Sequence, residues 1–307
     1  MISIPIQKVD NIWMNGEFVN WDDANVHILT HALHYGSGVF EGIRCYKTTN
    51  GPAVFRHREH MERLHNSAKI YQMEIPYSVE ELMNATKELI RKNGLEECYI
   101  RPIAYRGYGE MGLNPLNVPI DVAIAVWPWG AYLGEEGIKN GIRTMISSFQ
   151  RISPKSLPPF AKCTGTYVNS ILSKLESLHA GCDEAIVLDY RGFISEGPGE
   201  NIFMIKKGKI FTPPEHASIL VGITRDTAIT IARDLGYNVV ETDITRGQLY
   251  LADELFFTGT AAEITPIREV DGIEIEKPWP ITKAIQEKFY ATIEGKDQNY
   301  KDWLDYV

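Results

Sequence analysis

Lys162 is the only charged side chain between Lys155 and Lys174, in the segment Ser156-Leu-Pro-Pro-Phe-Ala-Lys162-Cys-Thr-Gly-Thr-Tyr167. An ammonium set among Pro, Phe, Ala and Cys either snorkels to solvent or is desolvated for chemistry. A free lysine loses its proton near pKa ~10.4, so reaction as a neutral amine at pH 7 costs about 4–5 kcal/mol unless burial or a cofactor lowers that value. Lysines held as an imine avoid this cost.

Three other segments have residue types suited to a site. In Ile194-Ser-Glu196-Gly-Pro-Gly-Glu200-Asn201-Ile-Phe203, two glycines and a proline bend the chain around two carboxylates. The plainer reading of that loop is a solvated acid pair. Leu220-Val-Gly222-Ile223-Thr224-Arg225-Asp226 runs into a helical pattern, so its first backbone N–H groups and the Thr224 hydroxyl suit a phosphate or carboxylate. Thr224 as a simple N-cap is compatible with that role. Phe257-Thr-Gly259-Thr260-Ala261-Ala262-Glu263 places small residues after an apolar strand, where backbone can approach a ligand closely.

Two patterns are decoys. Gly107-Tyr-Gly109-Glu-Met-Gly112 matches the dinucleotide fingerprint as a string, but Leu113-Asn-Pro-Leu-Asn-Val-Pro119 cannot open the helix that would hold a pyrophosphate. His27, His31 and His34 are spaced for one helical face, as a metal site would need. No carboxylate or cysteine joins them nearby, and Tyr35-Gly-Ser-Gly38 reads as a loop.

The elements that must position these residues follow from turns and periodicities. Asn15-Gly16 and Asn50-Gly51 punctuate strands around Ile12–Met14, Glu17–Val19 and Ala53–Phe55. Met61, Leu64, Ala68 and Tyr71 recur at helical spacing, as do Leu82, Met83, Leu89 and Ile90 before Asn93-Gly94. Tyr99–Tyr105 and Val122–Trp127 return to sheet, and the turn-rich Pro128–Gly134 marks a boundary. Beyond it, strands are expected at 142–149, 185–188, 202–205 and 209–211, with helices around 168–175 and 228–235 and from 282 onward. Thr265–Ile275 reads as a hairpin turning at Asp271-Gly272. Mixed blocks of strand and helix favour an α+β fold over a doubly wound parallel sheet. The expected division is a small N-terminal domain at 1–128, a linker at 129–138 and a larger C-terminal domain at 139–307 carrying Lys162.

Composition agrees with a globular chain: 307 residues, 44% hydrophobic and 23% charged. With 31 Lys and Arg against 40 Asp and Glu, the net charge of −9 recommends no nucleic-acid partner. The most apolar window, Val118–Trp129, is too short to span a bilayer, and the first residues show no secretory pattern. Cys45, Cys98, Cys163 and Cys182 form no Cys-x-x-Cys pair, so reduced thiols in the cytoplasm are expected, with neither zinc nor disulfides.

Taken in order, Ile12-Trp-Met-Asn-Gly-Glu17, His31-Ala-Leu-His-Tyr-Gly-Ser-Gly-Val-Phe-Glu-Gly42, Tyr99-Ile-Arg-Pro102, the Lys162 segment, Ser195-Glu-Gly197 and Thr258-Gly-Thr-Ala-Ala-Glu263 span nearly the whole chain. In this order they resemble the class IV aminotransferases that use pyridoxal 5′-phosphate (PLP), and among them the branched-chain amino acid aminotransferases. Pro198 departs from the family pattern, which has a small residue there.

The resemblance implies a type IV PLP fold with two domains and the cofactor at their junction. It makes Lys162 the catalytic Schiff-base lysine, which carries the proton between substrate Cα and cofactor C4′. Glu196 is implied as partner of the pyridine nitrogen and Tyr167 of the ring oxygen O3′. Arg63 would bind the phosphate, with Gly222, Ile223, Thr224 and Thr260. Backbone at Thr260-Ala261 and Tyr99 would hold the substrate carboxylate. Phe40 and Tyr132, with Tyr35, Met111 and Leu113 from a neighbouring subunit, would bury the side chain, and Arg101 would take the distal carboxylate of glutamate. The implied reaction is ping-pong transfer of the amino group of L-leucine, L-isoleucine or L-valine to 2-oxoglutarate, by a homodimer or higher homo-oligomer. D-amino acid or (R)-amine transamination and aminodeoxychorismate lysis are the alternatives within the class, and Tyr99-x-Arg101 and Gly109–Pro115 disfavour them. A non-catalytic metabolite-binding relative would have lost Lys162 or Glu196, and both are here.

Overall fold

The computed structural model of the chain describes residues 6–130 and 133–307. These divide into two compact units. One takes in the chain up to Trp129 together with Ala161–Thr166 and Thr292–Val307; the other takes in Gly130–Phe160 and Tyr167–Ala291.

The first unit is built on a sheet that, among the described residues, has eight strands. Its order is Leu304–Tyr306, Gly51–Phe55, Ile43–Thr48, Cys98–Arg106, Ile120–Trp127, Asn11–Met14 and Glu17–Asn20, with Gly38–Phe40 also paired to Cys98–Arg106. The Asn15-Gly16 turn has the doubly positive φ of 49° and 95° that a two-residue hairpin loop needs, and Met14 pairs directly with Glu17. Two helices, His57–Ile70 and Val79–Lys92, bury Met61, Leu64, Ala68, Leu82, Leu89 and Ile90 in the same core as Ile43, Val54, Ile100 and Ile124. Ser78 and Glu81 form a capping box at the second helix's start, where Ser78 Oγ accepts from Glu81 N–H at 3.2 Å.

The second unit carries a nine-stranded mixed sheet among the described residues, running Ile194–Glu196, Glu184–Leu188, Ile142–Gln150, Glu263–Val270, Glu254–Gly259, Asn201–Lys206, Lys209–Thr212 and Val239–Glu241, with Ile273–Glu274 added beside Glu263–Val270. Ile142–Gln150 lies parallel to both of its neighbours. Ile186, Ile202, Leu255, Phe257 and Ile267 are all fully buried in its core. Helix Ile223–Asp234 contributes Ala228, Ile231 and Ala232 to the buried interior, and helix Pro280–Ile293 contributes Ile285 and Phe289.

Two expectations change. Residues 134–138, read as linker, belong to a helix, Gly134–Asn140. The Lys162 segment, assigned from sequence to the C-terminal domain, groups with the N-terminal unit. Backbone pairing explains this. Phe40 N–H donates to Lys162 C=O at 3.0 Å, Gly165 N–H donates to Gly36 C=O at 3.2 Å, and Thr164 Oγ1 donates to the same carbonyl at 2.8 Å. Gly36 has φ +64°, and a Cβ there would stand 2.8 Å from Gly165 Cα, so the approach of these two loops requires glycine.

Candidate active site

In the N-terminal unit, strand Gly38–Phe40 and helix His57–Ile70 set the surroundings of Lys162. Its backbone N–H donates to Ser67 Oγ at 3.1 Å, and its ammonium lies 5.2 Å from the Phe40 ring centroid. On the same helix, Arg63 meets Glu41 side-on: Nε to Oε1 at 2.6 Å and Nη2 to Oε2 at 2.9 Å. The Glu41 side chain is fully buried, and His60 Nδ1 lies 2.8 Å from its Oε2. Burial alone would raise the Glu41 pKa, but the Arg63 charge and the hydrogen bonds from His60 and Arg63 hold the carboxyl well below the usual range. Burial pushes the His60 imidazole down despite Glu41. An ionised carboxylate only accepts, so His60 Nδ1–H is the donor.

Strand Cys98–Arg106 brings Tyr99 and Arg101 to the same unit. Tyr99 is buried, packs edge-on against Trp129 at 4.5 Å and fills the space above Gly42, where a Cβ would be 2.1 Å from its hydroxyl. Arg101 lies over the Phe40 ring at 4.8 Å and the Tyr99 ring at 5.3 Å, and its Nη2 donates to Tyr99 Oη at 3.3 Å. Its Nε is buried with no hydrogen-bond partner, and among the described residues it forms no ion pair. Tyr35, Met111 and Leu113 are 43%, 44% and 88% exposed, so within this one chain they do not close a pocket. Tyr132 lies outside the described residues.

The histidines have ordinary partners. His31 and His34 sit on a short helix, His31–Tyr35, which ends at Gly36, so the loop expected at Tyr35–Gly38 begins where the helix stops. His31 binds Ser37 Oγ and the Gly112 carbonyl, and His34 binds the Ile28 carbonyl. No helix follows Gly107–Gly112 before strand Ile120–Trp127. The four cysteines are free, although the register sets Cys45 opposite Cys98.

In the C-terminal unit, Glu196 is 4% exposed, which removes the solvated-loop reading. Arg151 Nη2 pairs with its Oε1 at 2.5 Å, Asn201 Nδ2 donates to Oε2 at 3.0 Å and Leu220 N–H reaches the same carboxylate at 3.2 Å. Asn201 also donates to Leu220 C=O at 2.9 Å and lies against Gly222, whose absent Cβ would be 2.1 Å from Asn201 Oδ1. The cap of helix Ile223–Asp234 is therefore Gly222 and not Thr224: Gly222 is extended and its carbonyl accepts from Asp226 N–H. Thr224 lies inside the first turn, where N–H groups lack intrahelical acceptors. Thr260-Ala261-Ala262 is the loop of a hairpin closed by Gly259 opposite Glu263. Tyr167 opens helix Tyr167–His179. Glu200 is buried as well, and its carboxyl is pushed up to about 8 by that burial and the Glu184 carboxylate.

Glu41, His60, Arg151 and Asn201 escaped the sequence reading. Glu41 had a weaker signal: an acid inside Val39-Phe-Glu-Gly-Ile43 stands among apolar neighbours, with Arg44 three residues on. His60 lies three residues before Arg63, one helical step away. Arg151 and Asn201 carry no local signal, since their partners come from other strands and loops.

The N-terminal unit offers a lysine amine and an arginine, and the C-terminal unit a helix N-terminus and a buried carboxylate, donor types that each suit part of a phosphorylated pyridine aldehyde. Residues 38–270 match the family model for amino-transferase class IV, and the chain belongs to that family. More narrowly, it is 51% identical over 304 residues, 98% of each chain, to the branched-chain-amino-acid aminotransferase of Escherichia coli strain K12. The crystal structure of the Escherichia coli branched-chain amino acid aminotransferase superposes with a TM-score of 0.95 at 51% identity, over 97% of this chain and 99% of that one. The branched-chain amino acid aminotransferase from Thermobaculum terrenum, in its PLP form, superposes with a TM-score of 0.90 at 34% identity, over 96% of this chain and 97% of that one.

Proposed function

We propose that this chain transfers the amino group of L-leucine, L-isoleucine or L-valine to 2-oxoglutarate with PLP as its cofactor. The carrying observation is Lys162, a half-buried amine whose backbone is held on both sides by Ser67 and Phe40. PLP, when bound, supplies an electron sink that lets the substrate Cα–H bond break. Lys162 Nζ would take that proton from Cα. Glu196 would offer its buried carboxylate to the ring nitrogen and Tyr167 its hydroxyl to the ring oxygen. Arg63, Thr260 and the Gly222-Ile223-Thr224 helix start would hold the phosphate.

Phe40, Tyr99 and the aromatic residues around them wall an apolar site that selects for bulk, each buried aliphatic side chain being worth roughly 1.5–3 kcal/mol. Arg101, whose Nε has no partner, receives the distal carboxylate of glutamate or 2-oxoglutarate. Thr260-Ala261 backbone and Tyr99 hold the α-carboxylate.

The working form is a cytoplasmic homodimer or a higher homo-oligomer. Exposed apolar groups support this: Ile28, Leu33, Leu113 and Leu116 in the N-terminal unit, and Val168, Ile171, Leu172 and Leu175 along one helix in the other. Among the described residues no helix is long and apolar enough to cross a membrane. Steady-state assays over L- and D-amino acids with 2-oxoglutarate as acceptor test the reading. Turnover confined to branched L-amino acids is expected; preference for D-amino acids would overturn it.

A further inference from the structure

Arg63 is held before any ligand arrives. Helix His57–Ile70 places His60, Arg63 and Ser67 at spacings of three and four, along one face. Ser67 on that face binds the Lys162 backbone, while His60 and Arg63 both bind Glu41. The fork from Glu41 uses Nε and Nη2, so one carboxylate sets the plane of the guanidinium and the direction of its remaining edge, which carries Nη1.

A largely buried ion pair is poor evidence for stability, because desolvating both charges offsets much of their attraction. Its presence here fits orientation better. A long, rotamer-rich side chain loses its freedom when it binds, and one already fixed in the free protein does not lose it again. We propose that Glu41, braced by His60, is the positioning residue of Arg63: it acts through the guanidinium, fixing the edge that meets the cofactor phosphate. The inference rests on reading Arg63 as the phosphate ligand.

The sign of the effect separates this role from plain electrostatics. The Glu41 carboxylate repels a phosphate dianion, so if charge alone mattered, removing it would tighten phosphate binding. If Glu41 orients Arg63, removing its charge weakens binding of PLP, and only of ligands that carry the phosphate. An amide at position 41 keeps the shape, but its NH2 opposes either Arg63 or His60.

Apo-protein titrated with PLP and with pyridoxal, which lacks the phosphate, tests this by visible absorbance and tryptophan fluorescence. Glu41→Gln is expected to raise the Kd for PLP roughly 10- to 100-fold, the effect of misplacing one charge-assisted contact, with the Kd for pyridoxal unchanged within about twofold. In an Arg63→Gln background, Glu41→Gln is expected to add nothing further. Equal losses for both ligands would make Glu41 merely structural, and unchanged or tighter PLP binding would also overturn the proposal. If Glu41→Gln does not fold, Glu41→Asp decides: the charge stays, the fork retracts by one methylene, and a selective loss for PLP is still required. Wild-type protein that fails to bind PLP would instead overturn the cofactor reading, and the positioning role with it.

Discussion

Among the described residues, each unit contains a nearly dry arginine–carboxylate pair, and the two have opposite polarity. In the N-terminal unit Glu41 is the support: its side chain is 0% exposed, while Arg63 retains 15%. In the C-terminal unit the proposed functional partner is the carboxylate, Glu196 at 5%, and the support is Arg151 at 14%. The same pairing chemistry thus supports a cation in one unit and an anion in the other. A guanidinium with several donors can give two to a buried acid and still present an edge to phosphate. A carboxylate with about four acceptor sites can take Arg151, Asn201 and Leu220 N–H and still accept from a ring N–H.

The largest expected effect sets the baseline for both pairs. Lys162→Ala should abolish turnover while leaving Arg63–Glu41 and Glu196–Arg151 intact. Borohydride reduction of the wild-type holoenzyme followed by peptide mapping should find the pyridoxyl group on Lys162. Finding it on another lysine would remove the common object of the two pairs.

Glu196→Gln comes next, and it sharpens the contrast with Glu41. Removing charge from the functional partner should leave PLP bound but slow Cα proton removal, on the order of 10²–10³-fold as for loss of one preorganised electrostatic partner. Glu41→Gln should do the reverse, acting on affinity. Single-turnover rates with leucine decide: if Glu196→Gln reacts at the wild-type rate, the two pairs do not differ in the way described.

A smaller effect is expected at Arg101, the arginine that has neither kind of support. Its company is two aromatic rings and the Tyr99 hydroxyl, with no carboxylate. Arg101→Leu should weaken the glutamate half-reaction by one charge-assisted hydrogen bond, roughly 10- to 150-fold, and the leucine half-reaction far less. Stopped-flow measurement of each amino acid alone separates the two, and equal losses would make Arg101 structural.

What was legible beforehand follows one physical line. Strands such as Cys98–Arg106 and helices such as Val79–Lys92 show in the sequence because branched and aromatic composition, helical periodicity and the Asn93-Gly94 stop are local. Strand Leu304–Tyr306 does not, because three residues carry no period and its partner Gly51–Phe55 is far away in sequence. The Lys162 segment was misassigned for the same reason, since glycine-to-glycine contact with Gly36 is invisible to periodicity. The proposed functional half of each pair came from the family resemblance, with Lys162's isolation as the one strong compositional clue. The supporting halves, Glu41 and Arg151, depend on tertiary placement.

The smallest effect concerns Glu200, a buried carboxylate without a dedicated arginine, and it tests why Glu41 has one. Arg63 and His60 hold Glu41 ionised, so its contribution to stability is present above the ordinary carboxyl range and is lost only as pH falls through its lowered pKa. Glu200 runs the other way. Burial and the Glu184 carboxylate outweigh the Lys174 ammonium and push it up to about 8 from the ordinary 4.5. Between those values the folded chain keeps a proton that the unfolded chain releases, so stability is full below the ordinary carboxyl pKa and falls as pH rises toward 8. The slope is at most about 1.4 kcal/mol per pH unit. Glu200→Gln keeps a neutral hydrogen-bonding side chain and removes the titration. Its Tm should therefore gain on the wild type by on the order of 5 °C between about pH 5.5 and 7.5, at roughly 2 °C per kcal/mol for a chain of this size. Thermal melts at the two pH values measure the difference directly. A gap that stays constant, or closes as pH rises, would show that Glu200 is ionised when folded, and that a buried carboxylate in this unit does not need an arginine to carry its charge.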